Sequence, residues 1–230
     1  MKPDKLWELA GSKNSRLIVA LDNIPSDPTK LVNSFKEFAV GVKIGLPFLL
    51  KWGPSQVKHL CNQFGNSLYM LCDLKLADIP FIVAEEVKLI DEYGFDGLIV
   101  HLFQGGIREV SSLPSRPDLF GLVSMTHKES RLIDEHFKEL LEEALASKLE
   151  GCVAPATKPE IIRAAKKLAP ELTLISPGIG AQGVQAGAAI EAGADFEIIG
   201  RAIVSGHDPG SVARAMRDAM NVSLKKVGEM

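Results

Sequence analysis

The sequence predicts a (β/α)8 barrel of the TIM type, a single domain over residues 1–230 with a short helix before the first strand. Three observations lead there. Eight short apolar runs recur along the chain, each continuous rather than alternating, as parallel strands covered by helices are. Segments with helical patterning stand between the runs. A length of 230 residues suits one barrel, for which ~250 residues is typical. A doubly wound open sheet is the alternative that the same pattern allows. No linker, low-complexity tract or shift in composition divides the chain.

The elements follow in order. Residues 3–10 read as the short leading helix, and the first strand is expected over residues 16–21. Asp27-Pro28 then supplies an N-cap and a first-turn proline for a helix over residues 30–38. Strands are expected at residues 40–44 and 68–73, with a helix over residues 47–64 between them. A further helix over residues 80–93 precedes strands at 97–101 and 119–125. The longest amphipathic stretch, residues 131–147, leads to a strand at 151–154. Thr157 and Glu160 have capping-box spacing before residues 161–168. Strands at 172–176 and 196–200 complete the eight, and Asp208-Pro209 opens a last helix that Lys225-Lys226 and Gly228 close.

Composition bounds the function. With 46% hydrophobic and 24% charged residues the chain is an ordinary globular one, and a net charge of −3 gives no global reason to bind nucleic acid or a membrane surface. Cys61, Cys72 and Cys152 are odd in number and lack C-x-x-C spacing. A reduced, cytoplasmic setting is therefore expected. The start lacks the apolar core of a signal peptide, and no run approaches ~18 apolar residues.

In a barrel the active site lies at the carboxyl ends of the strands. Those ends carry Asp22, Lys43, Asp73 with Lys75, His101, Thr126, Ala156-Thr157, the turn 176–183 and Gly200-Arg201. Gly178, Gly180 and Gly183 after the seventh run, with Arg201 after the eighth, have the make-up of a barrel phosphate site. Glycines let backbone N–H groups approach an anion, and a guanidinium can hold it in a fork.

The densest cluster is Asp73-Leu74-Lys75-Leu76-Ala77-Asp78-Ile79-Pro80. On an extended backbone Asp73 and Lys75 would point to one face. Lys43, Asp73, Lys75 and Asp78 alternate in sign, so in a confined site each charge would keep its neighbours ionised. A protonated lysine held there could act as an acid. There is no compact metal-ligand pattern, His59, His136 and His207 are expected to face solvent, and no G-x-G-x-x-G follows the first run.

These residues resemble the orotidine 5′-phosphate decarboxylase family, in its compact archaeal-like form. The resemblance runs through L-I-V-A-L-D at 17–22, V-K-I-G-L-P at 42–47, D-L-K-L-A-D-I-P at 73–80, I-V-H-L-F at 99–103, S-P-G-I-G-A-Q-G at 176–183 and I-I-G-R-A-I at 198–203. D-x-K-x-x-D alone marks a wider superfamily that includes metal-dependent sugar-phosphate decarboxylases and hexulose-phosphate synthases. Those relatives typically carry an acidic metal ligand where Lys43 stands. The resemblance implies cofactor-independent decarboxylation of orotidylate to uridylate, with no metal. Lys75 would be the proton donor, Asp73 would sit against the departing carboxylate, and Lys43 would bridge it to the ribose. Asp78 would reach across a homodimer interface into the partner's site. Asp22 would bind a ribose hydroxyl, Ile79 and Pro177 would line the base, and Thr126 would meet the pyrimidine edge. Gly178, Gly180, Gly200 and Arg201 would hold phosphate, with Gln182 closing the lid. Three positions depart from the family pattern: Ile82 stands where threonine is frequent, Thr126 where serine is usual, and Ala156 where serine is frequent. Against the family pattern, Ile82 puts one cross-interface hydrogen bond in doubt, a loss on the order of 1 kcal/mol. A catalytically silent phosphate-binding barrel is a further reading, opposed by the retention of Asp73, Lys75 and Asp78.

Overall fold

In the computed structural model, which describes residues 2–25, 27–180 and 183–229, eight parallel strands close on themselves in sequence order. They are β1 (Leu17–Ala20), β2 (Gly41–Gly45), β3 (Tyr69–Leu76), β4 (Gly97–Val100), β5 (Asp118–Leu122), β6 (Gly151–Val153), β7 (Thr173–Ile179) and β8 (Phe196–Ile199). Pairing of Ile18 with Ile198 between β1 and β8 seals the ring, so the open-sheet alternative falls. Helices cover the outside: α1 (Asp4–Lys13), α2 (Pro28–Phe35), α3 (Leu46–Phe64), α4 (Pro80–Glu92), α5 (Ile107–Ser111), α6 (Arg131–Glu135), α7 (Phe137–Ala146), α8 (Pro159–Leu168), α9 (Ala188–Ala192), α10 (Arg201–Val204) and α11 (Pro209–Gly228).

Continuous apolar runs form these strands because each has two buried faces. Ile18, Leu71, Ile99, Phe120, Val153 and Ile175 fill the barrel interior. Leu17, Val19, Val42, Leu98 and Leu174 face the helices. The leading helix α1 closes the amino-terminal mouth: Leu6 and Ala10 join the interior cluster, and Trp7 packs edge-on against Phe196 at 5.2 Å. Its indole N–H donates to Thr173 Oγ1 at 3.0 Å.

Two expected caps are formed, with Asp27 accepting from Lys30 N at 2.9 Å and Asp208 from Ser211 N at 3.0 Å. The capping box at Thr157 is not. Lys158 occupies the N-cap position of α8 without a side-chain cap, and the Thr157 hydroxyl donates instead to the carbonyl of Thr126. The long 131–147 helix breaks at His136, because its two halves are held by different partners. Asp134 is tied to Ser124, Ser130 and Lys158, whereas α7 buries Leu140, Leu141 and Ala144. Helix α3 kinks at Gly53, where φ is +75° and Pro54 follows. Gly228 is the last helical residue of α11 rather than the one beyond it. The cysteines are all buried and unpaired, and His59, His136 and His207 are exposed. No helix among the described residues is long and apolar enough to cross a membrane.

A polar network at the amino-terminal end adds a pH dependence to stability. Tyr69 is fully buried, and its hydroxyl donates to Asp118 Oδ2 at 2.8 Å. Burial lifts the Asp118 carboxyl from 3.8 to about 6, against the opposing hydrogen bond from Tyr69. A carboxyl with a raised folded pKa binds its proton more tightly in the folded state, so its contribution to stability falls as pH rises between those two values. The penalty at neutral pH is on the order of 3 kcal/mol. Asp118→Asn is expected to gain stability relative to the parent from about pH 4 to pH 6 and to hold that gain above it. Denaturant midpoints measured across this range test it, and a pH-independent difference would refute it.

Candidate active site

The carboxyl-terminal mouth of the barrel holds a continuous chain of four charges. Lys43 stands in β2 with its side chain only 7% exposed. Its ammonium donates to both Asp22 oxygens at 2.8 Å and pairs with Asp73 Oδ2 at 2.9 Å. The other Asp73 oxygen accepts from Lys75 Nζ at 2.6 Å. Burial alone would drive both inner groups toward neutrality. For Lys43 that effect is outweighed by Asp73 and Asp22, which hold its pKa above the ordinary value. For Asp73 it is outweighed by Lys43 and Lys75, which hold the carboxyl below its ordinary value. Both groups stay ionised in a site that would otherwise discharge them.

Local backbone makes this possible in two places. A Cβ on Gly45 would lie 2.2 Å from Asp22 Oδ1, so the glycine of V-K-I-G lets the carboxylate reach Lys43. Lys75 is in the left-handed region, at φ +51°, where the β3–β4 register shifts between Cys72 and Leu76. Simple alternation therefore does not bring Asp73 and Lys75 together; a bulge does. A non-glycine residue held this way costs on the order of 1 kcal/mol, a strain found typically at functional sites.

Within one chain the charges that join are Asp22, Lys43, Asp73 and Lys75. Asp22 takes the terminal place, and Asp78 is exposed with its Oδ1 accepting from Ile79 N at 2.6 Å.

Two lobes open from this charge chain. One, of about 180 Å³, is bordered by the charged Asp73 and Lys75, by Ile99, Leu122, Val153 and Ile198 as an apolar lining, and by Thr126 and Pro177. The other, of about 300 Å³, is bordered by Asp22, Asn23, Lys43, Gly178, Gly200 and Arg201. Asp73, Thr126, Pro177 and Ile198 border both lobes. A largely apolar group with a polar edge suits the lining of the first lobe. The second suits hydroxyls and an anion. Gly178 and Gly180 have φ of +105° and +78°, conformations that keep this turn open to glycine alone.

Other expected residues stand elsewhere. Ile79 is 62% exposed and borders neither lobe. Gln182 lies outside the described residues. His101 ends at the mouth, where burial and then the charge of Lys75 lower its pKa. Sequence reasoning overlooked Gly45, and it overlooked Asp134 and Lys158, whose nearest signal was the misread capping pattern.

A family model described as the orotidine 5′-phosphate decarboxylase/HUMPS family matches residues 15–216. The chain belongs to this family. The match spans all eight strands and the whole charge chain. The orotidine 5′-phosphate decarboxylase of Aeropyrum pernix is 36% identical to it over 224 residues, covering 90% of this chain and 89% of that one. The crystal structure of the Metallosphaera sedula enzyme matches with a TM-score of 0.80 at 33% identity, over 91% of this chain and 100% of that chain. The Methanocaldococcus jannaschii enzyme, solved with the inhibitor BMP, gives 0.81 at 28% identity, over 90% and 99%. Orotidine 5′-phosphate decarboxylases of these organisms are thus similar to this chain in sequence and in fold.

Proposed function

We propose that this chain decarboxylates orotidine 5′-phosphate to uridine 5′-phosphate, the step that completes uridylate in pyrimidine biosynthesis, and that Lys75 supplies the proton. The observation that carries the reading is the ionised chain Asp22–Lys43–Asp73–Lys75 standing at the junction of an apolar slot and an anion lobe. The pyrimidine enters the slot between Thr126 and Pro177, and the ribose lies along Asp22 and Lys43. Gly178, Gly180, Gly200 and Arg201 receive the phosphate. Asp73 faces the carboxylate that leaves.

The chemistry follows from the charges. The bond from the ring to the carboxylate breaks and carbon dioxide departs. The electron pair stays on the ring carbon and takes a proton from Lys75 Nζ, which forms the new C–H bond and leaves the lysine as a neutral amine. A fixed ammonium is complementary to that developing charge and interacts with it more strongly in the transition state than in the ground state. Repulsion between Asp73 and the substrate carboxylate adds to this by raising the ground state. Binding energy at the remote phosphate orders the site. The reaction proceeds without cofactor or metal.

The working unit is a homodimer of one-domain subunits. Leu46, Leu50, Ile79, Phe81, Ile82 and Phe103 are exposed, and all follow the ends of the neighbouring strands β2, β3 and β4. Large apolar side chains left exposed after three adjacent strand ends favour a partner copy. Asp78, exposed in the same region, then serves the neighbour's site. Three buried, unpaired thiols fit a cytoplasmic enzyme.

The decisive experiment is the ultraviolet absorbance change when the purified protein meets orotidylate, with and without a chelator. Equal turnover in both is expected, and none in either would overturn the reading. Arg201→Ala is expected to raise KM by at least about tenfold through lost anion contacts. An unchanged KM would remove Arg201 from the phosphate lobe.

A further inference from the structure

Three consecutive residues at the carboxyl end of β6 hold both sides of the slot. Ala156 N donates to the carbonyl of Pro177 at 2.8 Å. Thr157 Oγ1 donates to the carbonyl of Thr126 at 3.0 Å, and Thr126 and Pro177 both border the slot. Lys158 Nζ donates to the carbonyls of Met125 at 2.8 Å and His127 at 3.1 Å. Two adjacent side chains thus take three successive carbonyls, those of residues 125, 126 and 127. The same ammonium donates to Ser130 Oγ at 2.6 Å and pairs with Asp134. The second Asp134 oxygen accepts from Ser124 Oγ at 2.6 Å, and Ser124 itself borders the slot.

This is an expensive arrangement for a loop tether. The Lys158 side chain is 15% exposed, so its ammonium is largely desolvated and its stem largely ordered, which costs on the order of 2 kcal/mol in rotamer freedom. Charge-assisted bonds to carbonyls and a carboxylate offset that cost. The segment it holds needs holding. Strand β5 ends at Leu122, and the last ladder-like bond, Val123 N to Val153 O, lies at 3.1 Å. Beyond it the backbone that carries Thr126 is fixed by Thr157 and Lys158.

We propose that Thr157 and Lys158 are positioning residues for pyrimidine recognition, locking residues 124–127 so that Thr126 meets the edge of the base at a set distance from Pro177. The proposal rests on the assignment of the slot to the pyrimidine. Ala156, Thr157 and Lys158 are one stretch of backbone, so a single segment is bonded both to Pro177 and to residues 125–127. A displacement of ~1 Å at such a site can cost on the order of 10²-fold in rate. Lys158 touches no reacting group in this scheme and acts through Thr126.

The test compares binding of uridine 5′-phosphate with ribose 5-phosphate by calorimetry in the whole 230-residue chain. Lys158→Met is expected to weaken uridine 5′-phosphate by about tenfold or more while leaving ribose 5-phosphate within about twofold, and Lys158→Arg to restore most of the loss. In a Thr126→Ala background Lys158→Met should add little, since the two act as one unit. Thr157→Val, which leaves the Lys158–Asp134 pair in place, should show a smaller loss of the same selectivity even if Lys158→Met folds poorly. Equal losses for both ligands in folded variants, or none for uridine 5′-phosphate, would overturn the proposal. If the parent protein itself fails to prefer uridine 5′-phosphate over ribose 5-phosphate, the pyrimidine assignment of the slot falls, and the clamp's role with it.

Discussion

Replacing Lys75 by alanine is expected to reduce turnover by at least ~10⁴-fold while uridylate binding stays within about tenfold. The ammonium combines two effects that are separately worth on the order of 10²–10⁴ each, proton donation and electrostatic stabilisation of the developing charge. Neither bears on the lobe proposed to hold the phosphate, because Arg201 and Gly178 border that lobe and Lys75 does not. Removal of Lys75 also leaves Asp73 with Lys43 as its remaining cation, at 2.9 Å, so the carboxylate keeps a partner and the site keeps its shape. Absorbance assays and calorimetry on one preparation separate the two quantities. Near-normal turnover would end the assignment of Lys75. Parallel collapse of turnover and binding would point to a damaged site rather than a lost proton donor.

A mixture of two inactive variants is expected to recover activity. If Asp78 acts in the partner's site, Lys75→Ala and Asp78→Ala each disable both sites of their own homodimers. A mixed dimer behaves differently. One of its sites carries both substitutions, and the other pairs an intact Lys75 with an intact Asp78. Equal mixing with random reassociation makes half the dimers mixed, each with one working site, so about one quarter of the parent activity returns. The measurement needs subunit exchange, which dilution or mild denaturant followed by refolding provides. Recovery that tracks the formation of mixed dimers supports a shared site. No recovery despite demonstrated exchange would place Asp78 outside the partner's chemistry. The exposure of Asp78 beside Ile79 and Phe81, themselves 62% and 69% exposed, is what a free chain of such a pair would present.

Much of the barrel was legible because its causes are local. A strand buried on both faces must be apolar throughout, and a cap such as Asp27 or Asp208 acts on backbone three residues away. Where the cause was not local, the reading went astray. Thr157 has the spacing of a cap, but its hydroxyl is taken by a carbonyl 31 residues earlier. The segment 131–147 has one continuous amphipathic pattern, yet Asp134 answers to Lys158 and Ser124, and the helix breaks two residues later. Asp73 and Lys75 meet through a left-handed residue at a bulge, which spacing two apart on a regular strand does not express.

The charged residues of the site divide in the same way. By itself the sequence determined which residues gather at the mouth, since strand ends in a barrel converge wherever they lie along the chain. Only the tertiary structure decided how they pair. It placed Asp22 against Lys43, through the space that Gly45 leaves open, and it left Asp78 outside the chain's own array. Periodicity reports which face a residue occupies. Pairing depends on distances between strands and on the path of the backbone between them, and these exist only once the barrel has closed.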